Sequence, residues 1–198
     1  MRTVTFEYLW DKEWKKIGDD RTQGLAVGSL YGGGVIYWVN PDDWKDFRVV
    51  AMDEALTKLC WAANNSYVLG EDAQDRSARN GADIWKIAKG NSDAKRNGES
   101  GDFATDYPAF AYCYNKTDGG VAKGTLYLPS ERETKELSGS QRSIESVLAD
   151  NGAVAFTKTE YWTSTEAGTK ALRVVFTNAG TGDYIKTGVN RVRCIRGR

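Results

Sequence analysis

Hydrophobic and polar positions alternate with a period of two along most of this chain, interrupted by a few short stretches at helical spacing. Thr3–Trp10 and Trp14–Ile17 alternate on either side of Asp11-Lys12-Glu13, which predicts an N-terminal hairpin with a three-residue loop. A polar, glycine-containing linker, Gly18–Gly28, follows it. Gly32-Gly33-Gly34 leads into the strand VIYWV, Asn40–Asp43 marks a turn, and Phe47–Met52 completes a second hairpin. Lys58–Ala62 reads as a short strand with a buried indole at Trp61. Asn64–Asp102 is a polar, loop-rich insertion around one helix, Ala82–Ala88, whose Ile84, Trp85, Ile87 and Ala88 share a face.

The second half reads in the same way. Thr105–Pro108 carries the start signals of a helix over Ala109–Asn115, with Phe110 and Cys113 on one side and Gly119-Gly120 as a stop. Gly124–Leu128 is a predicted strand, and Ser130 with Glu133 three residues on is the capping-box pattern for a helix over Glu131–Leu137. Ser143–Ala149 adds a further helical turn or two. Closing strands are expected near Tyr161–Thr165, Ala171–Thr177, Asp183–Lys186 and Arg191–Arg196. In ALRVVFT, Leu172, Val174 and Phe176 fall on the apolar face and should point to the core. The pattern describes an α+β fold: an arm and linker over residues 1–28 and one domain over 29–198.

Composition narrows the function. A chain of 198 residues can bury about 70% of its unfolded surface without metals or staples. Lys plus Arg and Asp plus Glu are 27 each, so no net field draws nucleic acid or an anionic membrane. No apolar run approaches 18 residues, and the charged, alternating start carries no export signal. There is no histidine, which removes Ser-His-Asp and Cys-His catalysis and most zinc or non-haem iron sites. Cys60, Cys113 and Cys194 sit in apolar surroundings and allow one bridge with one thiol left over. The glycine run precedes a strand rather than a helix, so it is no phosphate loop. The acidic groups Glu71, Asp72, Asp75 and Asp42, Asp43, Asp46 lack calcium-loop spacing and read as solvated turns. A pair of carboxylates for glycoside hydrolysis is defined by a separation in space that spacing along the chain does not give. Among 7 Trp and 10 Tyr most must be core, and Tyr67, Tyr161, Trp162 and Tyr184, on polar or glycine-flanked segments, are the ones expected at the surface.

Taken in order, GGGVIYWV, FRVVAMDEA, LCWA, PAFAYCYN, LYLPSERETKEL, EYWTSTE and VRCIR resemble the C-type-lectin-like domains at the C-termini of bacterial surface lipoproteins, adhesins and Fibrobacter major paralogous proteins. The resemblance spans about Tyr31–Arg196. It implies small mixed or antiparallel sheets flanked by two or three helices, long loop insertions, and chain ends paired as neighbouring strands. It implies a non-catalytic domain without cofactors that binds a protein or glycan at a cell surface, outside the cell or on a phage virion, with neither nucleic acid nor membrane insertion. The same fold serves as the variable receptor of diversity-generating retroelements. On that likeness Tyr161, Trp162, Ser164, Asn178, Thr181, Asp183, Tyr184, Lys186 and Asn190 are the candidate ligand-binding residues, and Cys113 pairs with Cys194. The calcium-dependent sugar triplets Glu-Pro-Asn, Gln-Pro-Asp and Trp-Asn-Asp are absent, so calcium-dependent sugar binding is not expected. The signature of formylglycine-generating enzymes is absent too, leaving such chemistry at Cys60 or Cys194 as the alternative from another class. A structural part in a fimbrial tip or virion, with homo-oligomers formed through the N-terminal hairpin, is the third.

Overall fold

A computed structural model describes the strands at residues 5–8 and 14–17 and residues 25–94 and 101–197. In chain order the strands are β1 (Thr5–Tyr8), β2 (Trp14–Ile17), β3 (Leu30–Tyr31), β4 (Gly34–Val39), β5 (Phe47–Glu54) and β6 (Leu59–Cys60). Then come the helices α1 (Gly81–Asp93), α2 (Phe103–Asp106), α3 (Pro108–Asn115) and α4 (Glu131–Asp150). The chain closes with β7 (Glu160–Ala167), β8 (Lys170–Val175), β9 (Gly180–Ile185), β10 (Val189–Asn190) and β11 (Arg193–Gly197). The architecture is α+β with several small antiparallel sheets.

β1 and β2 form the predicted hairpin, with Tyr8 opposite Trp14. Its expected loop, Asp11–Glu13, and the first part of the linker, residues 18–24, lie outside the described residues. The linker's end already joins the domain, since Gly28 N–H donates to Ile36 C=O at 2.8 Å. A four-stranded sheet has the order β11-β5-β4-β3, and a three-stranded sheet the order β7-β8-β9. β6 and β10 form a two-residue ribbon in which Val189 faces Cys60 and Asn190 faces Leu59. The glycine run is the tight turn between β3 and β4. Gly32 and Gly33 both have positive φ, and Gly119 packs so near that a Cβ on it would lie 2.3 Å from Gly33 Cα.

Two apolar clusters hold these layers together. One gathers Trp61, Tyr107, Phe110, Leu128, Trp162 and the Cys113–Cys194 disulfide, which ties α3 to β11 across 81 residues with Cα atoms 5.4 Å apart. The other presses Leu137, Ile144 and Leu148 of α4 onto Tyr37, Phe156, Tyr161, Phe176 and Ile195. α4 starts with the capping box read from the sequence: Ser130 N–H donates to Glu133 Oε2 at 2.9 Å and Glu133 N–H to Ser130 Oγ at 3.4 Å.

The structure corrects four expectations. The helices at Glu131–Leu137 and Ser143–Ala149 are one 20-residue helix, because Leu137, Ile144 and Leu148 fall on one buried stripe that carries the helix through Gly139. The helix at Ala82–Ala88 runs through 13 residues, Gly81–Asp93. The strand at Gly124–Leu128 shrinks to one bridge, in which Tyr127 exchanges backbone bonds with Ile195 at 2.8 and 3.0 Å, hemmed in by Gly124 at φ +84° and Pro129. The end strands of the domain are not paired with each other: β11 lies beside β5 and β3 at the far edge, because Val49, Val50 and Ala51 are all buried and give β5 an interior place, and the Arg196 side chain crosses to the Tyr31 carbonyl at 3.2 Å. Among the described residues no helix is long and apolar enough to cross a membrane.

Candidate ligand-binding surface

The β7-β8-β9 sheet carries most of the candidate residues, and its strands differ in what they expose. Thr163, Ser164, Thr165 and Glu166 in β7 are buried together with Tyr161 and Trp162, so this strand is covered on both faces. Trp162 donates its indole N–H to Leu59 C=O at 2.8 Å and packs in the first cluster. Tyr161 donates to Glu54 and receives the Thr157 N–H at 2.9 Å. Burial and the Glu54 carboxylate push its phenol up to about 12. Ser164 is tied down by its N–H, 2.7 Å from Pro129 C=O.

Lys186 is the largest departure from expectation. Its side chain is 0% exposed, and the ammonium donates to Glu166, to Tyr67 C=O at 2.6 Å and to Gly168 C=O at 2.7 Å, above the Trp61 ring. Burial pulls its pKa down, and the Glu166 carboxylate works in the opposite direction. Glu166, equally buried, also receives the N–H groups of Leu69 and Gly70 at 3.0 and 3.3 Å. One ion pair therefore pins the 67–70 loop to β7 and to the residue just past β9. Asn190 is likewise buried, in β10. Tyr161, Trp162, Ser164, Lys186 and Asn190 are thus framework rather than display, because a side chain without accessible surface cannot touch a ligand.

Asn178, Thr181, Asp183 and Tyr184 do reach the surface. Asn178 Oδ1 accepts the Gly180 N–H at 2.8 Å and fixes the β8–β9 turn. Thr181, half-buried, donates to Glu131 at 2.8 Å, and Asp183 pairs with Lys170 at 3.2 Å. Tyr184 is exposed, and Tyr67 is half-buried. Strand register places Trp162, Arg173 and Gly182 in one row and Glu160, Val175 and Gly180 two rows along on the same face, with Ala171 opposite Tyr184. The Arg173 guanidinium lies 4.5 Å from the Tyr184 ring centroid and 3.5 Å from the Glu160 carboxylate. Behind it, the Trp162 and Tyr184 rings are 6.1 Å apart. Gly182 leaves the space above Arg173 open.

The outcome is a shelf of one phenol, one guanidinium and one carboxylate beside Gly182, with Ile185 and Val189 exposed nearby. It offers ring stacking, a planar donor fork and an acceptor. Arg173 and Glu160 were missed as site residues. The signal for Arg173 lies in the polar face of ALRVVFT, where it alternates with the buried Leu172 and Val174. The cysteines lie elsewhere: Cys194 is in the disulfide, and Cys60 is half-buried with burial pushing its thiol up. Among the described residues no three Cys, Asp or Glu side chains converge as a metal site. No protein-family model matches the chain, and comparison with curated proteins finds no match.

Proposed function

We propose that this chain is a non-catalytic binding domain on a C-type-lectin-like scaffold, which grips a protein or glycan through the outer face of β8 and β9. The observation that carries the reading is Tyr184, exposed and braced by Arg173 on a sheet whose strand β7 is buried from Tyr161 to Glu166. Rigid aromatic and arginine groups on a fixed support are the usual anchors of binding surfaces. The LPSERE capping box, the buried YWTSTE strand and the bonded VRCIR strand support the scaffold assignment. The disulfide supports a place at the cell surface, outside the cell or on a virion, since such bonds persist in oxidising surroundings. Variation by a retroelement, if it acts on this chain, has Asn178, Thr181, Asp183 and Tyr184 to work on. A formylglycine-generating reaction has less support, because Cys194 is bonded and the Cys60 thiol is pushed away from the thiolate form.

Screening the purified chain on printed glycans and on a panel of surface proteins tests the proposal. Tyr184→Ala and Arg173→Ala should each weaken any hit at least tenfold with melting unchanged, whereas Trp162→Ala should unfold the domain, a loss of about 3–5 kcal/mol for a buried aromatic. Hits that survive both surface substitutions would place the ligand elsewhere and overturn the reading.

A further inference from the structure

The outer edge of β9 bears on a second, separate question. β9 pairs with β8 through six consecutive residue pairs without a shift, contains no proline, and is paired with no other strand among the described residues. Alternate residues of such a strand direct their N–H and C=O groups away from the sheet. Edges of this kind are usually blunted by proline, a bulge, an inward charge or a covering element. Here the one charge on the strand, Asp183, is turned to Lys170 of its own sheet.

We infer that the occupant of this edge is β9 of a second copy of the chain, paired antiparallel about a two-fold axis through Gly182. Two-fold antiparallel pairing keeps like faces together, so the axis must pass through a residue. Centred on Thr181 or on Tyr184, β9 pairs over only three residues. Centred on Asp183, it sets the two Asp183 carboxylates face to face, which is unfavourable. Centred on Gly182, it pairs five residues: Gly180 opposite Tyr184 of the other copy, Thr181 opposite Asp183, and Gly182 opposite Gly182. In this register no like charges meet. The zero net charge of the chain leaves no long-range repulsion against self-association. The product is one six-stranded sheet with two Tyr184–Arg173 shelves on the same face. This pairing does not rest on the ligand-binding proposal. Pairing five residues is small beside the roughly 1,200–2,000 Å² of stable interfaces, so the dimer forms in a concentration-dependent way.

Sedimentation velocity of the full chain over a wide concentration range should show the average mass rising toward twice the monomer. Gly182→Glu should weaken self-association at least tenfold with melting unchanged. The monomer has room for it, since a Cβ there meets only Arg173 Nε at 3.8 Å, but the dimer would face two carboxylates across the axis. As a second readout independent of that variant's folding, Gly182→Cys in a Cys60→Ser background should give a covalent dimer on mild oxidation, and Asn178→Cys should not. A wild type that stays monomeric at the highest concentration, a dimer undiminished by Gly182→Glu, or equal cross-linking from positions 178 and 182 would each overturn the inference.

Discussion

Replacing Lys186 by methionine keeps the length and the apolar stem of the side chain while deleting the ammonium. Three acceptors lose their donor at once: the Glu166 carboxylate and the carbonyls of Tyr67 and Gly168. Glu166 keeps the N–H groups of Leu69 and Gly70, but its charge stays at 0% exposure with no cation beside it. Removing one partner of a buried pair costs about 3–5 kcal/mol, a large part of the 5–15 kcal/mol that holds an ordinary domain together. Urea unfolding followed by tryptophan fluorescence should report that loss at pH 7. The double variant Lys186→Met/Glu166→Gln, which removes the stranded charge, should recover part of it. Amide exchange at Leu69 and Gly70 should quicken in the single variant, because their acceptor is no longer anchored. A loss below about 1 kcal/mol, or unchanged exchange at these two amides, would refute the assignment of Lys186 as the pin of the loop.

Two further outcomes follow from the same framework. Burial pulls the Glu131 carboxyl up, but hydrogen bonds from Arg76, Lys135 and Thr181 outweigh it and hold it at about 2, below its ordinary 4.5. A depressed carboxyl contributes stability above pH 4.5 that is lost as the pH falls toward 2. With Arg76 and Lys135 58% and 42% exposed, solvent screening reduces this to about 1–2 kcal/mol, which Glu131→Gln should remove from the acid limb of a pH–stability curve. Joint replacement of Cys113 and Cys194 by alanine opens a closed loop with a sequence separation of 81 and should cost about 4 kcal/mol in urea unfolding, while thiol titration of the unfolded, unreduced wild type should find Cys60 alone.

Features decided by neighbours in the chain were legible in the sequence. The capping box at Ser130 and Glu133, the glycine turn before β4 and the inward face of Leu172, Val174 and Phe176 each depend on spacings of a few residues. The sheet and loop that β7 packs between are distant in the chain, and there the reading failed. Tyr-Trp-Thr-Ser-Thr-Glu looks half-exposed because four of its six residues are polar. Polar groups tolerate burial when they are bonded, and Thr163 donates to Leu172 C=O at 3.0 Å while Thr165 Oγ1 accepts the Glu131 N–H at 2.9 Å. Lys186 misled for a related reason. It lies two residues beyond Tyr184 and so has the same parity, but β9 ends at Ile185, and its counter-charge is Glu166, 20 residues away in sequence.

These failures sharpen the division of labour on the sheet. A residue can set specificity only if changing it leaves the scaffold standing, which excludes Trp162, with its indole bond to Leu59, and Lys186, with its three acceptors. Tyr184 and Asp183 meet that condition, and so does Arg173, whose contacts are with the exposed Tyr184 ring and the half-exposed Glu160 carboxylate. The glycines belong to the same logic. A side chain at 182 would fill the space above Arg173, so the openness of the shelf is as much a property of what β9 lacks as of what it carries. Under the proposed binding role, stability and recognition divide along the sheet: β7 and the residue after β9 hold the loop and the core, and β8 and β9 present the exposed groups proposed to meet a partner.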